Sequence, residues 1–166
     1  MNCTNYNMGP YNLHIIKNDD FKTISIRVNF KSELSSKEIT SRNLLRLMLI
    51  NSTKNFPSER LLNIESEKLY NLGYGSQGVI SGNFSILSFD VNFLNSKYIE
   101  ENNLEKSIDF LCELLFNPNI DNKSFESTNF QIVKERLKNV IESESENPRQ
   151  YALGRLLEEM DKKANY

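Results

Sequence analysis

Histidine is nearly absent from this chain of 166 residues, in which it occurs once, as His14. Cysteine occurs twice, as Cys3 and Cys112, without a Cys-x-x-Cys pair or a Cys/His cluster. Imidazole nitrogen and thiolate sulfur are the ligands from which proteins assemble most zinc sites. A zinc centre built from several of the chain's own histidines and cysteines is therefore excluded, and a Ser-His-Asp hydrolase would have to use His14.

The chain also lacks an excess of basic residues and a long apolar run. Its 20 Lys+Arg and 22 Asp+Glu give a net charge of -2, so no surplus of cations is available for phosphate contacts. No apolar run approaches the roughly 20 residues that span a bilayer, and residues 1–10 lack the apolar segment of a signal peptide. We therefore expect a cytoplasmic protein whose partners include neither nucleic acid nor a membrane.

The cysteines and the histidine have ordinary structural interpretations. In a reducing cytosol, Cys3 and Cys112 are expected as free thiols, with a disulfide between them as the alternative. Cys112 is expected on or near a buried helix face. His14 lies in an apolar run, L-H-I-I, and is expected to be a strand residue that faces solvent or makes one hydrogen bond.

Apolar residues alternate with polar ones in two stretches, which is the period of a half-buried strand. The apolar members of the first stretch are Ile24, Ile26, Val28 and Phe30. Those on one face of the second are Phe89, Val91 and Phe93. A short apolar run predicts an earlier strand at residues 13–17. Residues 74–80 and 84–93 are predicted to form a hairpin, with Gly82 and Asn83 in its turn.

Capping signals predict two helices in the middle of the chain. Ser35 and Glu38 fit a capping box that opens a helix ending near Ile50, and this helix is apolar enough to be buried between layers. Ser58 is expected to cap the next helix, which stops at Gly73.

Three further helices are predicted in the second half. One ends at residues 117–118, N-P, the next begins near Lys123, and the last runs from residues 147–148, N-P, to about Lys162. The expected apolar stripe of the first comprises Leu104, Ile108, Leu111 and Leu115. That of the second comprises Phe130, Val133, Leu137, Val140 and Ile141.

The predicted order β-β-α-α-β-β-α-α-α favours an α+β fold, with a mainly antiparallel sheet and helices packed on one face. No linker or internal repeat divides the chain, so residues 1–166 are expected to form one domain. Because the pattern stops on a helix without a closing strand, we expect the N-terminal fragment of a longer protein.

Residues 43–57, N-L-L-R-L-M-L-I-N-S-T-K-N-F-P, resemble a helix of the pitrilysin (insulinase) family. These inverted zincins, which include insulin-degrading enzymes and the mitochondrial processing peptidases, have roughly H-F-L-E-H-M-x-F-x-G-T-x-x-Y-P there. Met48 and residues 53–57 fix the register. The resemblance extends from about Leu13 to Met160, and residues 151–160 resemble a bacterial branch of the family that has lost the zinc motif.

The resemblance identifies the positions at which the zinc motif has been replaced. Two histidines and a glutamate of the H-x-x-E-H pattern correspond to Asn43, Leu47 and Arg46. An amide is a poor zinc ligand, leucine is none, and a guanidinium repels a dication. The family's third ligand, a glutamate, falls near Val133. The chain is therefore expected to bind no metal or other cofactor and to be an inactive homologue of a zinc metallopeptidase.

The resemblance also implies a second acidic position, and the motif positions have a simpler structural interpretation. A second acidic position of the family falls near Val140, while Glu135 and Glu142 lie nearby without a histidine pair to join. In the simpler interpretation, the motif positions are ordinary helix residues, with Leu47 in the core and Arg46 paired with a carboxylate.

Three classes of function follow. The resemblance favours a non-catalytic subunit that forms a heterodimer with an active, zinc-bearing paralogue. Such a subunit shapes the peptidase chamber or holds an extended polypeptide substrate at a sheet edge. A free-standing scaffold or peptide-binding protein of the same fold is the alternative. An enzyme of unrelated chemistry, using Asp90 or a serine, is the third, but no base is visibly arranged with a nucleophile.

Overall fold

Strands dominate the first half of the chain and helices the second, in a computed structural model that describes residues 2–143 and 146–160. The strands are β1 (Asn2–Asn7), β2 (Asn12–Lys17), β3 (Thr23–Glu33), β4 (Gly73–Ser81), β5 (Phe84–Leu94), β6 (Ile120–Asp121) and β7 (Ser124–Phe125). The helices are α1 (Ile39–Asn51), α2 (Glu59–Lys68), α3 (Leu104–Phe116), α4 (Ser127–Ser143) and α5 (Pro148–Met160). The α+β class is confirmed, and the predicted end of the last helix at Lys162 lies outside the described residues.

The strands pair antiparallel throughout, but in three separate sheets rather than one. The central sheet has the order β3-β5-β4, so β3 and β4 are its edges. The predicted hairpin is confirmed: β4 and β5 are joined by Gly82 and Asn83, and Gly82 adopts a φ of +55° that glycine accepts without strain. The remaining sheets are the hairpins β1-β2 and β6-β7.

One cluster of apolar side chains joins the central sheet to α2 and α3. The period-2 prediction for β5 is confirmed, because Phe89, Val91 and Phe93 are all buried in this cluster. Its members from α2, α3 and the loop after α2 are Leu62, Leu69, Leu72, Phe110, Leu111 and Leu114. In β3, Ile24, Ile26 and Val28 pack against the cluster, whereas Phe30 is 45% exposed.

The first hairpin stands apart from this core. The predicted strand at residues 13–17 is confirmed as β2, but its partner β1 was not predicted. β1 reads N-C-T-N-Y-N, a polar stretch that becomes a strand because its backbone pairs with β2 from Asn2↔Lys17 to Asn7↔Asn12. Every residue of β2 is exposed.

The predicted start of the first helix is wrong for a local reason. The Ser35–Glu38 capping box does not form: the Ser35 carbonyl accepts from the backbone N–H groups of Glu38 and Ile39, and the helix begins at Ile39. The Glu38 carboxylate bonds instead to the Arg42 guanidinium, at 2.6 Å. The Ser58 cap is confirmed, since its hydroxyl accepts from the Leu61 N–H.

The second helix ends earlier than Gly73. It stops at Lys68, because Tyr70 and Asn71 take left-handed φ values of 58° and 57° that reverse the chain. The turn brings Leu69 and Leu72 into the core, and Gly73 is the first residue of β4.

The end of α3 at Asn117 is confirmed, but its predicted apolar stripe is partly wrong. Leu104 and Ile108 are about 40% exposed, while the buried face presents Ser107, Phe110, Leu111 and Leu114. Phe110 sets this rotation by packing edge-on against Tyr74, with ring centroids 5.3 Å apart. Cys112 consequently points to solvent, contrary to prediction.

Helix α4 begins at Ser127 rather than near Lys123, because Asn122 and Lys123 form the left-handed turn of the β6-β7 hairpin. The backbone N–H groups of its first turn are bonded by the Glu126 carboxylate. Of its predicted stripe, Val133 is buried, whereas Val140 and Ile141 are exposed. Helix α5 begins at Pro148, as predicted.

Candidate functional site

Helix α1 carries the three motif positions and lies against β4 on one side and α4 on the other. Asn43, Arg46 and Leu47 are all half-buried. The prediction that α1 is buried between layers holds only in part, since its buried residues are Met48 and Asn51, and Leu45 is exposed. The simpler interpretation placed Leu47 in the core. Leu47 is only half-buried instead, because Met48 and Asn51 occupy the innermost face of the helix.

Arg46 is bonded to a neighbour on its own helix and to the edge strand. Its Nε donates to Asn43 Oδ1 at 3.0 Å, and its Nη1 donates to both the carbonyl oxygen and the hydroxyl of Ser76 at 3.1 Å. The prediction that Arg46 pairs with a carboxylate is therefore wrong, because backbone and hydroxyl oxygens of β4 supply its acceptors. Burial lowers the pKa of the Arg46 guanidinium, which still remains charged at neutral pH.

Asn43 is fixed at both ends of its amide and lies close to Gly78 of β4. Its Nδ2 donates to the Ile39 carbonyl at 3.0 Å, while its Oδ1 accepts from Arg46. A Cβ added at Gly78 would stand 2.6 Å from Asn43 Oδ1 and 3.3 Å from Arg46 Nε. Glycine at position 78 is thus what lets helix and strand approach so closely.

The predicted third-ligand position, Val133, is the buried residue of α4, the helix that packs on α1. Glu135 and Glu142, the nearby carboxylates, are exposed. The donor set around the motif positions is thus an amide already bonded to a cation, the cation itself and two alkyl groups. These groups do not fit a zinc ion, which takes imidazole, thiolate or carboxylate ligands.

The outer edge of β4 lies beside these side chains. β4 pairs with β5 on one side only, so half of its backbone N–H and C=O groups face away from the sheet. The carbonyl of Ser76 is one group that an α1 side chain already occupies. Sequence reasoning missed Ser76 and Gly78, although repeated glycines within a strand, as in G-Y-G-S-Q-G, are a known signal of close backbone approach.

The other residues singled out from the sequence lie away from α1. His14 is exposed on β2, and its Nδ1 lies 2.7 Å from Asn5 Oδ1, as predicted for a strand residue with one hydrogen bond. Asp90 faces Arg27 across β3 and β5, with 3.8 Å between the charged groups. Cys3, like Cys112, is an exposed free thiol. Within the described ranges, no three His, Cys, Asp or Glu residues form a group able to hold a metal ion.

A cavity of about 290 Å³ lies between α2 and α3 and was not predicted. Its lining residues are Phe56, Glu65, Leu69, Lys106, Asp109, Phe110 and Glu113. Lys106 is paired with Glu101 at 2.7 Å, and Glu113 accepts hydrogen bonds from Asn55 and Asn117. These two charges are thus already bonded within the chain.

Two known proteins are similar to this chain over nearly all of its length. The chain is 29% identical over 160 residues to a protein of Bacillus subtilis (strain 168) named probable inactive metalloprotease YmfF, covering 95% of this chain and 38% of that protein. A conserved protein of known crystal structure from Enterococcus faecalis V583 has the same fold, with a TM-score of 0.91 and 29% identity over 99% of this chain and 40% of that one. The chain thus spans about two fifths of the length of these relatives. No protein-family model matches it.

Within the part of the chain that the structure describes, no helix combines the length and the apolar character needed to cross a bilayer.

Proposed function

We propose that this chain is a domain of a non-catalytic pitrilysin-like metallopeptidase homologue that works as the partner of an active zinc peptidase. The observation that carries the proposal is that Arg46 donates hydrogen bonds both to Asn43 and to Ser76 of β4. In the pitrilysin-like register, these two side chains stand where a zinc ligand and the catalytic glutamate belong. Here they serve the contact between a helix and a strand.

The proposed absence of catalysis follows from the chemistry that peptide hydrolysis with zinc needs. The metal must lower the pKa of a bound water, and a general base must accept its proton. Arg46 can accept no proton at neutral pH, and its positive charge opposes a dication nearby. We therefore place zinc only in the partner subunit and no cofactor in this chain.

The proposed contribution of this chain is structural or substrate-holding. An extended polypeptide can add to a free sheet edge through backbone hydrogen bonds, and β4 offers such an edge beside α1. In the assembled heterodimer, this edge would face the chamber of the zinc-bearing partner. A free-standing scaffold in the cytoplasm, without a peptidase partner, is the competing function.

The first test is to isolate the full-length parent protein from its native cytosol and to identify what accompanies it by mass spectrometry. A stoichiometric partner carrying H-x-x-E-H supports the heterodimer. Its absence, with the parent protein recovered alone or with unrelated proteins, favours the scaffold. Peptide hydrolysis should then be assayed with each subunit alone and with the pair, and activity of this subunit alone would refute the proposal.

A further inference from the structure

We propose that Arg46 is a clasp on the outer edge of β4, and that an extended polypeptide pairs with this edge only after the guanidinium has left Ser76. The inference rests on the proposed role of β4 in holding polypeptide and adds how that edge is controlled. The residue that replaces a catalytic group would then regulate access to the edge.

The hairpin geometry determines which backbone groups of β4 face outward. Ser81 and Phe84 flank a two-residue turn and form a hydrogen-bonded pair, after which such pairs alternate along an antiparallel ladder. Ser76, opposite Phe89, and Gly78 therefore belong to the pairs whose N–H and C=O groups point away from β5. An added strand needs these same groups.

Arg46 occupies the middle of this outward row. Its Nη1 takes the Ser76 carbonyl, and Asn43 lies over Gly78, the next outward residue. The outward residues on either side are Tyr74 and Ile80. A strand that pairs with both of them must also pair at residues 76 and 78, which lie between them. A polypeptide consequently competes with Arg46 for the edge.

The guanidinium of Arg46 is held in one orientation in the closed state but can still leave Ser76. Asn43 fixes the Arg46 Nε at 3.0 Å and is itself anchored on the Ile39 carbonyl, so the guanidinium is oriented towards Ser76. Arg46 is only half-buried, and its freed donors can bond to water. The hydrogen bonds of the charged guanidinium favour the closed state by about tenfold or more. The apparent affinity of the edge for polypeptide is the affinity of the open state multiplied by the fraction of molecules that are open.

The experiment measures the binding of a fluorescein-labelled peptide of alternating threonine and valine, with lysine at each end, by fluorescence anisotropy. The full chain is compared with Arg46→Met, which keeps most of the side-chain length without donors. Arg42→Met is the matched control, because Arg42 lies one turn earlier and bonds to Ser32, Glu33 and Glu38 rather than to β4. A peptide with alternate backbone amides methylated cannot pair as a strand and reports non-specific binding.

Arg46→Met is expected to bind the peptide about tenfold more tightly than the unmodified chain, with Arg42→Met unchanged and the methylated peptide unbound. If both the chain and Arg46→Met bind the peptide equally and only the methylated peptide fails, the clasp is wrong and the edge still holds polypeptide. If neither binds, the clasp and the polypeptide-holding role are both wrong. Should Arg46→Met not fold, Ser76→Ala removes one acceptor of the clasp, and unchanged affinity in that variant would overturn the inference.

Discussion

The close approach of α1 to β4 predicts that Gly78→Ala destabilises the protein through Asn43. The new methyl group would stand 2.6 Å from Asn43 Oδ1, whereas ordinary contacts begin near 3.4 Å, so the amide must move by most of an ångström. That movement breaks the bond between Asn43 and Arg46 and strains the bond to Ile39. A bond to a charged donor contributes about 1.5–3 kcal/mol and a neutral one about 0.5–1.5 kcal/mol, with the lower values applying to half-buried groups.

These contributions are partly offset, because alanine is favoured over glycine by about 0.5–1 kcal/mol inside a strand. We therefore expect Gly78→Ala to lower the free energy of unfolding by about 1–2 kcal/mol. In an Asn43→Ala background the closest obstacle is gone and only Arg46 Nε, on a flexible side chain, remains within 3.4 Å, at 3.3 Å, so the same substitution should be nearly neutral. The two substitutions should thus show a coupling free energy of about 2 kcal/mol.

The measurement is urea denaturation of the four proteins of this cycle, followed by circular dichroism. Gly75→Ala is the matched control on the same strand, since a Cβ there meets nothing within 4 Å and should not destabilise. An equal effect of Gly78→Ala with and without Asn43 would refute the close approach of helix and strand. Loss of stability in Gly75→Ala as well would mean that β4 tolerates no alanine for reasons unrelated to α1.

Three further predictions concern other parts of the chain. Asn103 is buried and donates to the Leu69 carbonyl at 2.9 Å, so Asn103→Ala should lower the free energy of unfolding in urea by about 1–3 kcal/mol, while Asn139→Ala on an exposed face should have little effect. Burial alone would raise the pKa of Glu113, but hydrogen bonds from Thr53, Asn117 and Asn55 lower it overall. The ionised Glu113 carboxylate therefore stabilises the folded chain fully above the ordinary carboxyl pKa, and this stabilisation is lost as the pH falls through the depressed pKa. The stability difference between the chain and Glu113→Gln should shrink accordingly in acid, and a difference that grows would contradict this. The third prediction uses a chain in which the zinc motif is restored by Asn43→His, Arg46→Glu and Leu47→His. Adding Val133→Glu to this chain should tighten zinc binding at least tenfold, as measured by titration calorimetry, because Val133 is aligned with the third ligand. Adding Val140→Glu instead should not tighten it.

Sequence patterns predicted the strands of the central sheet better than the faces of the helices. The alternation of Phe89, Val91 and Phe93 depends only on the pleat of one strand, so the buried face of β5 follows directly from the sequence. In α3, two overlapping apolar stripes compete, and the contact between Phe110 and Tyr74, which are distant in sequence, selects one of them. Such tertiary contacts are not encoded in the spacing within a helix.

For the candidate site, the sequence pointed to the positions on α1 but not to their partner on β4. The motif comparison identified Asn43, Arg46 and Leu47, because these positions lie within one helix and need only a register. It could not identify Ser76, which lies 30 residues from Arg46 in sequence and meets it only through the packing of α1 on β4. The strand β1 was missed for a similar reason, since its polar residues become extended through pairing with β2.

The two arginines of α1 also have a mechanical consequence for the central sheet. Arg42 bonds to Ser32 and Glu33 at one end of β3, and Arg46 bonds to Ser76 in β4, so one helix is tied to both outer strands across β5. A pulling force that peels β4 from β5 must therefore break the Arg46 bonds together with the strand ladder. A force on either outer strand is therefore carried by α1 as well as by β5, so the helix resists separation of β3 and β4.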